Sequence, residues 1–530
     1  LAESVDTVSG TLAEGFGMST EAIGAFNVEL WLVDKAGDSS SHVTAEFKVE
    51  PSTGPDDFPI RITEAANGSA PNGPSVNGGL DWLGTHAIFA SKASNLIVGD
   101  TNDAYDLFVR KTCVFAGDEC TPSTIRAVMG VGGAEPNGDI GWTATSPSNS
   151  LGVNFNARYV AFVSSASNLV PDDTNGVDDV FLVDTCIERV GYGPDREPCT
   201  PGVIRVSLSN DGLQSTEPAS YPAVADDGRY VVFVSADPNL VSGDTNGVAD
   251  VFLRDTCRGA TQECTPGTTR VSVANEGGEA NAASGEPAFT GRYVAFSSLA
   301  SNLVAADTNG LQDVFLRDTC LLEPVCVPST RLVSVGHLGN PANGASSDPQ
   351  VSWGLTDFYG HDHHGRFVVF VSSASNLVPG DTNGASDVFE RDLCADEPNC
   401  TPSMARISVT STDGQIWGGS WSPDFLRWDG ETIAFVTAAD GVVPGDANGI
   451  RDVYKRHHCP FGAPNYCEAS TELISHGTAG AQTDGASYAP RMSHDPFGAW
   501  AVTFISEASN ILPDNVPIPN DGSIYMDLAY

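Results

Sequence analysis

The stretch Ala161-Phe-Val-Ser-Ser-Ala-Ser-Asn-Leu-Val-Pro-Asp-Asp-Thr-Asn-Gly-Val-Asp-Asp-Val-Phe181 decides how the chain is read. It joins an apolar run, a Ser-Asn-Leu turn, an acidic turn and a second apolar run. The acidic turn returns with its first aspartate at Asp100, Asp173, Asp244, Asp307, Asp381 and Asp446, and a decayed copy falls at Asp514. Its spacing of 63 to 74 residues exceeds that of a helical repeat and suits a four-stranded propeller blade with long loops.

Each unit reads as strands. In the third, the Pro-containing segment Glu217–Val224 reads as an innermost strand a, and Tyr230–Ser235, rich in β-branched and aromatic residues, as a buried central strand b. Asp250–Arg254 follows as strand c and Thr269–Val273 as the outer strand d. With 55 Gly and 33 Pro the composition favours tight turns, and no apolar stripe of helical period and length occurs. A d-type strand at Ile60–Thr63 precedes any a, b or c strand, and the last strand, Ser523–Leu528, is of type c. The early strand is therefore expected to complete the last blade and close the ring, which removes exposed sheet edges. The sequence predicts an all-β fold in two parts. Residues 1–59 form a short β extension, and 60–530 form a seven-bladed propeller of about 67 residues per blade.

Segments such as Ser422-Pro-Asp-Phe-Leu-Arg-Trp-Asp-Gly-Glu-Thr-Ile-Ala-Phe435 and Asp226-Asp-Gly-Arg-Tyr-Val-Val-Phe233 resemble the TolB-like, WD40-like (PD40-type) propeller repeat. The resemblance covers roughly residues 60 to 530 at the level of fold. It implies an extracytoplasmic propeller serving as a scaffold for partners or as a companion to a catalytic domain. The inserted acidic turn and the paired cysteines depart from the general family pattern, and the repeat carries over no catalytic residue.

A formal charge of −42 would repel phosphate backbones and anionic membranes, so nucleic acid is excluded as a partner and cations are favoured. Hydrophobic content of 41% is ample for a packed core. No run of 18 or more apolar residues is present, so no membrane-spanning helix is expected.

The acidic turn reads D-[TA]-N-G-x-x-D at Asp173/Asn175/Asp179, Asp244/Asn246/Asp250, Asp307/Asn309/Asp313, Asp381/Asn383/Asp387 and Asp446/Asn448/Asp452. A sixth copy, Asp100/Asn102/Asp106, has Asp103 in the glycine slot, and the decayed seventh has Ser523 for the final aspartate. Alternating oxygen side chains followed by a glycine suit Ca2+, giving about six expected sites. An Asn-Gly turn bonding its own backbone would explain Asn-Gly equally well, but not the return of two carboxylates at fixed spacing on so acidic a chain.

The 12 cysteines fall as Cys113/Cys120, Cys186/Cys199, Cys257/Cys264, Cys320/Cys326, Cys394/Cys400 and Cys459/Cys467, one pair per c–d loop. Pairs without further ligands read as local disulfides rather than zinc sites, in a secreted or cell-surface protein. Disulfides and acidic turns are expected on opposite faces. His361-Asp-His-His364 reads as a solvated loop. His337, His476 and His494 are expected near the channel mouth, where a metal site would suit a polysaccharide-active, lyase-like enzyme.

Ala25–Asp34 and His42–Glu50 alternate with period two and read as strands that must dock on something. The leading reading is a secreted, calcium-stabilised propeller with a structural or interaction role, such as a fibre or surface-layer subunit. Its expected partners are further copies of itself, bound through these strands, or other extracellular proteins or glycans.

Overall fold

The computed structural model describes residues 24–30, 43–49 and 59–529, except 82, 115–119, 142–150, 154–156, 188–198, 200, 322, 324, 354–363, 396–399, 426–429, 460–467, 495–499 and 513–521. Within these the chain forms seven four-stranded antiparallel sheets and one two-stranded sheet. The only helical segments among the described residues are single 3-10 turns at Val131–Gly133 and Thr478–Gly480.

Blade 3 shows the plan: Ala219–Val224, Tyr230–Ser235, Asp250–Asp255 and Gly267–Arg270 pair in chain order. Strand b is apolar on both faces because both are covered. Val231 and Phe233 pack toward blade 2, whereas Val232 and Val234 pack toward blade 4. An aromatic pair sits opposite across strands b and c in every blade. Phe233–Phe252 is one, at 5.8 Å between ring centres, and Phe504–Tyr525 in blade 7 is another, at 6.0 Å. These rings are nearly fully buried, and each pair contributes about 0.5–1.5 kcal/mol beyond the area it buries.

Strand d ends earlier than its sequence suggests, at Arg270 rather than Val273. Beyond it Ser272 leaves the sheet pairing, and its hydroxyl oxygen accepts the amide hydrogen of Val251 at 3.0 Å. The side chain thus takes over from the backbone.

The ring closes as expected. The strands β1 (Gly24–Leu30), β2 (Val43–Val49) and β3 (Ile60–Arg61) open the described chain, and β3 pairs with the Ser523–Ala529 strand of blade 7. The innermost strands of neighbouring blades touch one another all the way round. In blades 1 and 3 to 7 strand a carries a bulge. Five of these bulges hold a non-glycine residue at positive φ, among them Tyr221, Glu286 and Asp348.

Five cysteine pairs are local disulfides, as predicted: 113–120, 186–199, 257–264, 320–326 and 394–400. Cys459 is also disulfide-bonded, while its expected partner Cys467 lies outside the described residues. Such bridges belong to an oxidising compartment.

Candidate functional site

The last aspartate of each acidic turn opens strand c and is buried. Asp106, Asp179, Asp250, Asp313 and Asp387 are 0% exposed, and Asp452 is 1% exposed. In blades 2 to 6 it accepts a hydroxyl hydrogen at 2.5–2.7 Å from Ser207, Ser272, Ser334, Ser408 or Ser475, the serine that follows strand d. The turn asparagine is built into the backbone. Asn246 Nδ2 donates to Asp250 Oδ2 at 2.7 Å and to the Ala280 carbonyl at 3.2 Å, while its Oδ1 accepts the Val248 amide hydrogen at 3.1 Å. Asn175, Asn309 and Asn383 repeat this pattern. Asn102 and Asn448 likewise donate to a carbonyl in the following d–a connection, that of Pro136 or Thr483.

The charge partner of the carboxylates came from outside the motif. In blades 1, 2, 3 and 5 the last residue of strand d is an arginine, set opposite the strand-c phenylalanine. Its guanidinium lies between the two aspartates. Arg126 is 2.7 Å from Asp100 Oδ1 and 2.9 Å from Asp106 Oδ2, and Arg270 is 3.1 Å from both Asp244 Oδ1 and Asp250 Oδ2. Arg205 reaches Asp173 and Asp179 at 3.0 and 3.6 Å, and Arg406 reaches Asp381 and Asp387 at 3.3 and 3.9 Å. Glu135 and Glu279 join the first and third of these groups. These four turns carry their positive charge within the chain, and calcium between the carboxylates would have to displace a guanidinium. Burial pushes Asp106 up to about 7 although Arg126 pulls the other way.

Blades 4 and 6 have Leu332 and Leu473 at the arginine position. Blade 6 compensates with neutral donors: Tyr454 and Gln482 donate to Asp446 at 2.7 and 3.0 Å, and Thr483 donates to Asp452 at 2.9 Å. The seventh turn, at Asp514, lies outside the described residues, although Arg61 keeps the arginine position opposite Tyr525.

On the opposite face a second arginine system supports the disulfide loops. Arg229, ahead of strand b, donates to both oxygens of Asp255 at 2.9 and 2.8 Å and lies over the Tyr230 ring at 4.9 Å. Asp255 in turn accepts the Cys257 amide hydrogen at 2.8 Å, which holds a cysteine at φ 59. Arg158, Arg292 and Arg366 repeat the arrangement with Asp184, Asp318 and Asp392. The Arg-[Tyr/Phe] and Asp-x-Cys pairs that signal it recur in the sequence, but only the fold joins them. The acidic turns instead meet the d–a connections, as when Gln214 accepts the Thr174 amide hydrogen at 3.0 Å.

The innermost strands gather a third group along the axis, from five successive blades. Asp348 lies within electrostatic reach of Glu286, Asp424 and Arg491, and Tyr221 within reach of Glu286 and Asp348. Glu286 accepts hydrogen bonds from the Asp348 amide at 3.0 Å and the Ser297 hydroxyl at 2.8 Å. Burial, then the Glu286 charge, pushes the Asp348 carboxyl up to about 7. A carboxyl raised on folding contributes stability that is full below its unfolded pKa and lost as pH rises through the folded value. Asp348→Asn is therefore expected to stabilise the protein at pH 8, by on the order of 2 kcal/mol since the group keeps some exposure, and to do little at pH 4. Melting curves at both pH values check this, and equal shifts would contradict it.

The histidines do not form a metal cluster among the described residues. His337 is exposed, with Nδ1 at 2.8 Å from the Asn376 carbonyl, and His476 Nε2 is 3.9 Å from Asp527. His494 ends strand a of blade 7. His361, Asp362 and His363 lie outside the described residues, and the His364 ring meets Trp353 edge-on at 6.2 Å.

No family model matches the chain, and no curated protein matches it. Solved structures do. It is similar to a putative TolB from Agrobacterium tumefaciens at 13% identity, over 60% of this chain and 77% of that one, with a TM-score of 0.31. It is also similar to the Cps50 (Swd1) β-propeller domain of Myceliophteria thermophila at 10% identity, over 88% and 99%, with a TM-score of 0.37. A third is the polysaccharide lyase Uly1, at 8% identity, over 86% and 89%, with a TM-score of 0.39. The seven four-stranded blades themselves are the propeller that the repeats implied.

Proposed function

We propose that the chain is a secreted structural or interaction protein, a calcium-stabilised propeller that assembles with copies of itself through its N-terminal strands. The observation that carries this reading is the two-stranded sheet of β1 and β2. Its register sets Phe26 opposite Phe47, Val28 opposite Ala45 and Leu30 opposite Val43, so the apolar positions of both strands fall on one face. Among the described residues this sheet pairs with no strand of the ring, which β3 closes without it. A two-stranded ribbon with one apolar face is marginal in water and gains stability by docking. A head-to-tail contact whose rotation does not close would produce a fibre. Deleting residues 1–55 is expected to leave a folded monomer that no longer assembles. Light scattering decides, and a full-length protein that stays monomeric at high concentration with calcium present would sink the assembly reading.

The axial group favours a second reading, a polysaccharide-active enzyme working in the channel. Glu286, Asp348 and Asp424 outnumber Arg491 there, so a neutral or cationic glycan suits that site better than an acidic one. Turnover of a neutral polysaccharide, lost in Asp348→Asn, would support it.

A further inference from the structure

The repeat provides its own control for cation binding. In blades 1, 2, 3 and 5 a guanidinium approaches the same two atoms, Oδ1 of the first aspartate and Oδ2 of the last. In blade 3 it also donates to the carbonyl of Gly243, the residue before the first aspartate, at 3.3 Å. These contacts define a place for positive charge lined by two carboxylates and a backbone oxygen.

Blade 4 keeps the oxygens and has lost the guanidinium. Asp307 is 5% exposed and Asp313 0%. Leu332 stands at the arginine position and packs into the core between blades 3 and 4. Pro341 stands where blade 3 has Glu279. The strand-c aromatic here is Phe315, so blade 4 also lacks the hydroxyl that Tyr454 gives blade 6. No basic side chain reaches either aspartate among the described residues, and Asp307 Oδ1 is a buried oxygen without a hydrogen-bond partner. It is the atom that the arginines contact in the sister blades. Two buried carboxylates without a counter-charge are costly, and an oxygen-seeking cation relieves that cost.

We infer that blade 4 binds a calcium ion between Asp307 and Asp313, where its sister blades hold an arginine. The inference rests on the calcium-stabilised reading above and narrows it to one blade. Asp307, Asp313 and the carbonyl of Ala306, which matches Gly243, supply protein oxygens, and water completes the six to eight that calcium takes. So few protein ligands suit the affinity of extracellular modules, about 10⁻⁴–10⁻³ M. Magnesium, which demands a smaller and more regular octahedron, is expected to bind less well.

The test is calorimetric titration of chelator-treated full-length protein with calcium chloride, alongside Asp307→Asn and Leu332→Arg, with melting curves for each. The wild type should bind calcium and melt higher in its presence. Both variants should lose that component, and Leu332→Arg should melt in chelator at or above the wild-type temperature, because it restores the arginine bridge. Calcium binding undiminished in both variants would overturn the placement and leave a calcium-stabilised propeller standing. No calcium binding at all would overturn both, and tighter binding of magnesium would overturn the choice of ion.

Discussion

Arg270→Leu is expected to cost the propeller about 3–5 kcal/mol in calcium-free buffer near neutral pH, the range found when one member of a buried ion pair is removed. Asp244 and Asp250 are 4% and 0% exposed, and Arg270 is itself 9% exposed, so water cannot replace the lost charge. The folded state would keep two buried carboxylates facing one another, with Glu279 nearby. Burial already raises Asp244 above the usual carboxylate range although Arg270 pulls the other way, and without the guanidinium Asp244 would hold its proton more tightly still. A carboxylate whose folded pKa lies above its unfolded value loses stability as pH rises. The deficit should therefore be largest at pH 8 and shrink toward pH 5. Millimolar calcium should recover part of it, since the substitution recreates in blade 3 the residue pattern of blade 4. Denaturant unfolding at the two pH values, with calcium and with chelator, reads all three effects. An unchanged midpoint in chelator would mean that the bridge contributes nothing net.

The fold was legible because its signals are local and repeated. Tyr230–Ser235 reads as a buried strand from six consecutive side chains, and the recurring Asp-rich turn marks each blade without any knowledge of its neighbours. The cysteine pairs were legible for the same reason. The charge partners were not, because they are remote in sequence. Arg270 stands twenty residues after Asp250 and is brought over it by the c–d pairing, so only the register reveals that the acidic turn and the end of strand d form one group. With hindsight a sequence signal exists: Arg126, Arg205, Arg270 and Arg406 occupy one repeat position, and Leu332 and Leu473 interrupt the series. The axial group was hidden differently. Tyr221, Glu286 and Asp348 lie at a bulge, where period-two reasoning assigns a side chain to the wrong face.

Ring closure carries the other large effect, and two truncations separate it from assembly. Removing residues 1–55 leaves β3 in place, whereas removing residues 1–64 takes the fourth strand from blade 7. Little backbone is involved: β3 pairs Ile60 and Arg61 with Met526 and Tyr525, and the Ile62 amide donates to the Ile524 carbonyl at 2.8 Å. Apolar burial contributes more than these few hydrogen bonds. Ile62 is 2% exposed and packs with Ile524, Met526, Phe89 and Phe108, so it joins the last blade to the first. Ile62→Ala alone should cost about 2–4 kcal/mol, through lost transfer energy and the cavity left behind. The longer truncation should cost more, because it also turns the Ser523–Ala529 strand into an open edge beside the uncovered core residues Met526 and Ile524. The 1–64 deletion is therefore expected to melt well below the full chain and to aggregate on heating, whereas the 1–55 deletion should melt with the full chain and stay monomeric. Equal melting temperatures for the two truncations would show that β3 decorates a ring already closed by its innermost strands.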